Sequence, residues 1–173
     1  GYLRAIIVAD TFDDNIGYSC VSDAYRLKKS LQAISSQLHM KAEITVLDKL
    51  KCHCVDLDKW LRCLKPSAND VIMLLYTGHG FEDPLGNNLP VLHLPDRQPR
   101  GALLQEAIDR FPCKLSILFL DCCNRSLEGY RSFKRPFHPL IRRNQRLAGL
   151  KHLFRNTRAA ITVCAASPGE YAK

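Results

Sequence analysis

Apolar residues along this chain follow two rhythms. Five runs are nearly continuous: Leu3-Arg-Ala-Ile-Ile-Val-Ala9, Ala42 to Leu47, Val71-Ile-Met-Leu-Leu75, Leu115-Ser-Ile-Leu-Phe-Leu120 and Ala159-Ala-Ile-Thr-Val-Cys164. Runs of this length, bulky and ending in glycine or polar residues, predict buried parallel strands. Between them the spacing changes to three and four, the period of a helix face. Ala24, Leu27, Leu31, Ile34 and Leu38 mark one such face, and Leu57, Trp60, Leu61 and Leu64 a second. Leu103, Leu104, Ala107, Ile108 and Phe111 give a third, and Leu147, Leu150 and Phe154 a fourth. Ser22 can cap the first helix with Asp23 in its first turn, Asp56 can cap the second, and Pro66 and Pro112 act as stops. The polar residues from Asp10 to Ser19 predict a loop beyond the first strand. Residues 81–100 carry Pro84, Pro90, Pro95 and Pro99, with Val91-Leu-His-Leu94 as their one strand candidate, and Ser167-Pro168-Gly169 predicts a final turn.

Strand and helix therefore alternate through the chain. That order predicts an α/β fold, a mostly parallel sheet with helices on both faces and right-handed crossovers. At 173 residues the chain is one domain with room for a sizeable core, and no internal repeat is visible. Apolar residues make up 46% and charged residues 24%, the balance of an ordinary globular protein. No apolar run reaches the roughly 18 residues that a bilayer span needs. Nor does the start read as a signal peptide, because only five apolar residues separate Arg4 from Asp10. The first residue is not methionine, consistent with a trimmed or processed chain. Eight cysteines in a domain of this size predict free thiols in a reducing, cytoplasmic setting rather than a disulfide scaffold, with Cys63 and Cys164 as small apolar residues of a helix and a strand.

Charge changes the picture in one region. The net charge is +8, yet residues 125–158 alone hold ten Lys/Arg against the single acid Glu128. No aromatic interleaving or helix-turn-helix pattern accompanies them, so the segment reads as a solvated basic loop rather than a nucleic-acid site. Cys52-His53-Cys54 with Cys63 could offer four ligands to zinc, but Cys-x-Cys is not the usual knuckle spacing and no metal site is predicted.

Chemistry concentrates directly after two of the strands, at Tyr76-Thr77-Gly78-His79-Gly80 and Leu120-Asp121-Cys122-Cys123-Asn124. Functional groups of an open α/β sheet gather beyond the carboxyl ends of its strands, and neighbouring strands lie about 4.8 Å apart. A histidine between two glycines has a backbone free to turn and to admit a ligand closely. A cysteine meeting it there becomes a nucleophile, because the imidazole stabilises the thiolate or removes its proton. Alternation along a strand points Cys122 and Cys123 to opposite faces and leaves open which one meets the histidine.

Thr77-Gly-His-Gly80, followed 44 residues after the histidine by Asp121-Cys-Cys123, resembles the catalytic segments of the caspase-like cysteine peptidases, in particular the metacaspase branch. Ser19-Cys-Val-Ser-Asp-Ala24 is similar to a segment near that family's N-terminus, and Ala165-Ala-Ser-Pro-Gly-Glu170 to the stretch after its fifth strand. After the cysteine, where many metacaspases have His-Ser-Gly, this chain has Asn124-Arg125-Ser126. The resemblance implies a caspase-like three-layer sandwich and an endopeptidase. Cys123 would be its nucleophile and His79 its general base and acid, with the backbone N–H groups of Gly80 and Cys123 forming the oxyanion hole. It also implies that Asp23, Thr77 and Asp121 line a pocket for Arg or Lys before the scissile bond. That has an independent logic, since a buried cation needs a carboxylate partner. No cofactor is required by these residues. Calcium activation is implied by the resemblance alone, and residues 81–96 supply only Glu82, Asp83 and Asp96. No third member of the dyad is identifiable. The fold so implied continues with a further helix and strand after Lys173. A peptidase cutting after basic residues could cleave its own chain there or within 125–158, making its C-terminal fragment a partner. The alternatives are a catalytically silent caspase-like module that binds proteins, and a basic domain that binds nucleic acid.

Overall fold

The computed structural model describes residues 1–123, 148–166 and 169. Five parallel strands form one sheet: β1 (Tyr2–Ala9), β2 (Lys41–Leu47), β3 (Val71–Thr77), β6 (Leu115–Asp121) and β7 (Ala159–Cys164), in the order β2-β1-β3-β6-β7. Two short strands, β4 (Gly80–Phe81) and β5 (Val91–Leu92), pair antiparallel beside it. Helices α1 (Gly17–Gln37), α2 (Cys54–Cys63) and α3 (Gly101–Asp109) lie between strands. A helical segment is described from 148 and ends in a π-type turn at His152–Asn156.

The sheet has helices on both faces, as the alternation predicts. Odd-numbered residues of β1, β3 and β6, such as Ile7, Leu75 and Ile117, face α1 and Phe154. Even-numbered ones, such as Ile6, Leu74 and Leu118, face α2 and α3. The central strand β3 is buried at all seven positions, which is why its sequence is a continuous apolar run. The edge strand β7 is exposed at three of six.

Several boundaries differ from the sequence expectation. Helix α1 begins at Gly17, so Ser19 is helical and Ser22 lies inside the helix rather than capping it. The Asp13 side chain instead accepts the N–H groups of Asn15 and Ile16, just before the helix. Helix α2 begins at Cys54, and its cap is not Asp56. The carboxylate of Asp96, more than forty residues away, accepts the Cys54 N–H at 2.7 Å and the Val55 N–H at 3.1 Å. Leu103 faces solvent while Leu104 and Ile108 are buried, and Cys63 is exposed at the end of α2 rather than filling the core. The strand expected over 91–94 is confined to Val91–Leu92, although Leu94 is buried. The basic segment 124–147, the Ser167-Pro168 pair and Lys173 lie outside the described residues. Among the described residues no helix is long and apolar enough to cross a membrane.

Candidate active site

The chain runs from β1 outward to β2, then returns to place β3 on the other side of β1 before continuing to β6. Connections thus diverge between β1 and β3, and a crevice opens beyond the carboxyl ends of those strands. Asp10 and Asp13 follow β1, and His79 follows β3.

The separation of His79 from Cys123 is itself the sheet register. Residue n of β3 pairs with residue n+44 of β6, from Val71 with Leu115 to Thr77 with Asp121. The same offset separates His79 from Cys123, so the two leave the sheet side by side. The ladder continues past the strands: the Gly78 N–H donates to the Asp121 carbonyl at 3.3 Å. At Gly80 the approach is closest. A Cβ there would sit 2.4 Å from the Cys123 carbonyl oxygen and 2.6 Å from the Cys122 Sγ. Only glycine fits, and the backbone beside His79 rests against the backbone of the cysteine pair.

Alternation decides between the two thiols. Leu120 and Cys122 point into the core shared with α2 and α3, whereas Asp121 and Cys123 are partly exposed. Burial pushes the Cys122 thiol well above the usual range, which leaves it protonated and inert. Cys123 is the member of the pair accessible to a ligand.

His79 is itself 8% exposed and held from several sides. Its Nε2 lies 3.2 Å from Asp13 Oδ2. Its carbonyl accepts the His93 N–H at 3.0 Å and the hydroxyl of Tyr76 at 2.7 Å. That hydroxyl also reaches the His93 carbonyl at 2.9 Å, sharing one proton between the two carbonyl oxygens. Tyr76 is wholly buried, and burial raises its phenol well above the ordinary range, so it stays a donor. The ring of His93 packs edge-on against His79 at 6.2 Å and against Phe81 at 5.9 Å. Its Nδ1 meets Oδ2 of the fully buried Asp10 at 2.8 Å.

Gly80 stands opposite Leu92 in the β4–β5 hairpin. The hairpin bond is made one residue earlier, from His93 N–H to His79 carbonyl. By antiparallel alternation Gly80 and Leu92 form the pair that exchanges no bonds, so the Gly80 N–H points away from β5.

Asp23, Thr77 and Asp121 are brought to one place as well. Cys20, on α1 one turn before the buried Ala24, forms a hydrogen bond with Thr77 and feels the charges of Asp10, Asp23 and Asp121. Burial, reinforced by those carboxylates, pushes the Cys20 thiol up to about 12. Thr77 and Asp121 are odd-numbered in their strands and so face α1, which supplies Asp23. Two carboxylates and the buried Thr77 hydroxyl thus gather around Cys20, on the α1 side of the strand that leads to His79.

Two of the three acids between residues 81 and 96 have partners of their own. Asp83 is buried and accepts from the Leu85 N–H, the Asn87 amide and Arg100 Nε at 2.9 Å each, and Asp96 caps α2. Cys52 and Cys54 are buried among apolar side chains, and among the described residues no three His, Cys, Asp or Glu form a group that could hold a metal ion. An open cavity of about 690 Å³ lies along the hairpin, lined by Phe81, Glu82, Val91 and Arg100 among others.

Asp10, Asp13 and His93 escaped the sequence reading. A signal existed for Asp10, a charged residue directly after a buried strand. None existed for His93, which reads as an ordinary residue of a short strand. No family model matches this chain, and no curated protein matches it.

Proposed function

We propose that this chain is a caspase-like cysteine endopeptidase of the metacaspase type, cleaving after Arg or Lys in protein or peptide substrates. The observation that carries the reading is the common 44-residue offset, which sets His79-Gly80 against Cys122-Cys123 at the carboxyl edge of the sheet. In this reading His79 takes the Cys123 proton and the thiolate attacks the scissile carbonyl. The N–H groups of Gly80 and Cys123 receive the oxyanion, a contribution of roughly 3 kcal/mol per donor. His79 then protonates the leaving amine and activates the water that hydrolyses the acyl-enzyme. Asp23 and Asp121, with Thr77 between them, pair with a basic side chain in a recess where a carboxylate is the favoured partner. An anionic side chain would meet only like charge there, which argues against cleavage after Asp. A reducing, cytoplasmic setting suits the unpaired Cys123, and all eight cysteines are free. The calcium activation that the family resemblance implies finds no support in Glu82, Asp83 and Asp96, and no step is routed through an ion.

Paired fluorogenic peptides ending in Arg, Lys and Asp, assayed with wild type and Cys123→Ala, test the reading. Hydrolysis after Arg or Lys that vanishes in the variant is expected. Cleavage only after Asp overturns the pocket, and activity retained by Cys123→Ala overturns the nucleophile. Binding without turnover of any peptide would favour the silent interaction module.

A further inference from the structure

We propose that Asp13 is the positioning residue of the site, a carboxylate that orients His79 and turns the Cys123–His79 dyad into a triad. The inference rests on reading His79 and Cys123 as the reacting pair, and it adds the third group that the sequence does not reveal.

The geometry is specific. Asp13 Oδ2 stands 3.2 Å from His79 Nε2. Its other oxygen accepts the N–H of Asn15 at 2.8 Å and of Ile16 at 3.1 Å, and its carbonyl accepts the Gly17 N–H at 2.8 Å, opening α1. The carboxylate is therefore anchored to its own turn whether or not His79 is present. Burial opposes its charge, but those backbone donors and the imidazole together hold its carboxyl below the ordinary range. The His79 side chain is only 10% exposed, so water is a poor substitute for this partner.

This contact decides which nitrogen works. A neutral imidazole that gives its Nε2–H to Asp13 carries its lone pair on Nδ1. The Cys123 proton moves to Nδ1, and the sulfur forms a bond to the carbonyl carbon as its π pair moves to oxygen. The Nδ1 proton then passes to the amine nitrogen as the C–N bond breaks, leaving a thioester. Water attacks the thioester carbon, its proton going to Nδ1 and then to the departing thiolate. Each imidazolium formed along the way is stabilised by Asp13, the role that the buried aspartate plays in a Ser-His-Asp triad through the opposite nitrogen. The ring of His93, tied to Asp10, packs edge-on against His79, and the cysteine pair lies against the neighbouring Gly80.

Asp13→Asn keeps an oxygen for the Asn15 and Ile16 amides while presenting an amide group to Nε2. Histidine-selective ¹⁵N labelling, with His79 assigned by His79→Gln, reports tautomer and titration without any substrate. In wild type His79 should carry its proton on Nε2, and in Asp13→Asn the side-chain amide should move that proton to Nδ1. Peptide hydrolysis should lose kcat by about 10²-fold or more with KM little changed. Asp13→Glu should recover part of both. A wild-type His79 protonated on Nδ1 overturns the proposal even if no variant folds, as does an Asp13→Asn protein with unaltered His79 tautomer and kcat. If wild type hydrolyses no peptide, the peptidase reading falls, and the magnetic resonance still decides whether Asp13 governs the imidazole.

Discussion

Replacing Gly80 by alanine adds one methyl group at the point where β3 and β6 leave the sheet. An ordinary contact for such a carbon is 3.4–4 Å, yet it would meet the Cys123 carbonyl oxygen at 2.4 Å, the Cys122 Sγ at 2.6 Å and the Cys122 Cβ at 2.9 Å. Two of these neighbours cannot rotate aside: one is backbone and the other is the root of a wholly packed side chain. Relief requires the two segments to separate by about 1 Å, the scale at which misplaced catalytic groups lose about 10²-fold in rate. Overpacking of this kind costs about 1–3 kcal/mol. For a domain of this size that lowers Tm by about 2–12 °C. Gly149→Ala is the matched control, since nothing lies within 4 Å of its added carbon. Thermal melts of both variants, alongside hydrolysis of the Arg and Lys peptides, make the comparison. A Gly80→Ala protein as stable and as active as Gly149→Ala would refute the close approach, and with it the placement of Cys123 beside His79.

Two further predictions concern the frame rather than the site. Asp70 accepts from the Tyr2 and Ser67 N–H groups and from Arg4 Nε, which outweigh burial and lower its carboxyl from 3.8 to about 2. Its stabilisation is present above the ordinary carboxyl range and disappears as pH falls from about 4 toward 2; the shift is worth about 2 kcal/mol. Urea unfolding at pH 7 and pH 3 should show Asp70→Asn less stable at pH 7 by about that amount and less sensitive to acid, and an unchanged pH dependence would contradict the assignment. Asp96→Ala orphans two N–H groups in the first turn of α2, which should cost about 1–2 kcal/mol and speed amide exchange near Cys54 and Val55. An unmoved urea midpoint would exclude the long-range cap.

The sheet was legible in the sequence because burial on both faces leaves no polar alternation to disguise it. Val71–Leu75 is a solid apolar block for that reason, and the strand carries on from it through Tyr76 and Thr77. The histidine and the cysteine were legible because each stands immediately beyond such a block, where any parallel sheet gathers its chemistry. Periodicity could not choose between Cys122 and Cys123, because adjacent residues of a strand differ in face and not in type; the resemblance pointed to Cys123, and the fold leaves that one accessible. Asp13, Asp10 and His93 likewise became visible only in three dimensions. Their partners lie 66, 83 and 83 residues away in the chain, and no local period records a contact made across the sheet. Local sequence dictates which segments can be strands and helices, but the pairing register and the direction of each crossover decide which side chains share a crevice.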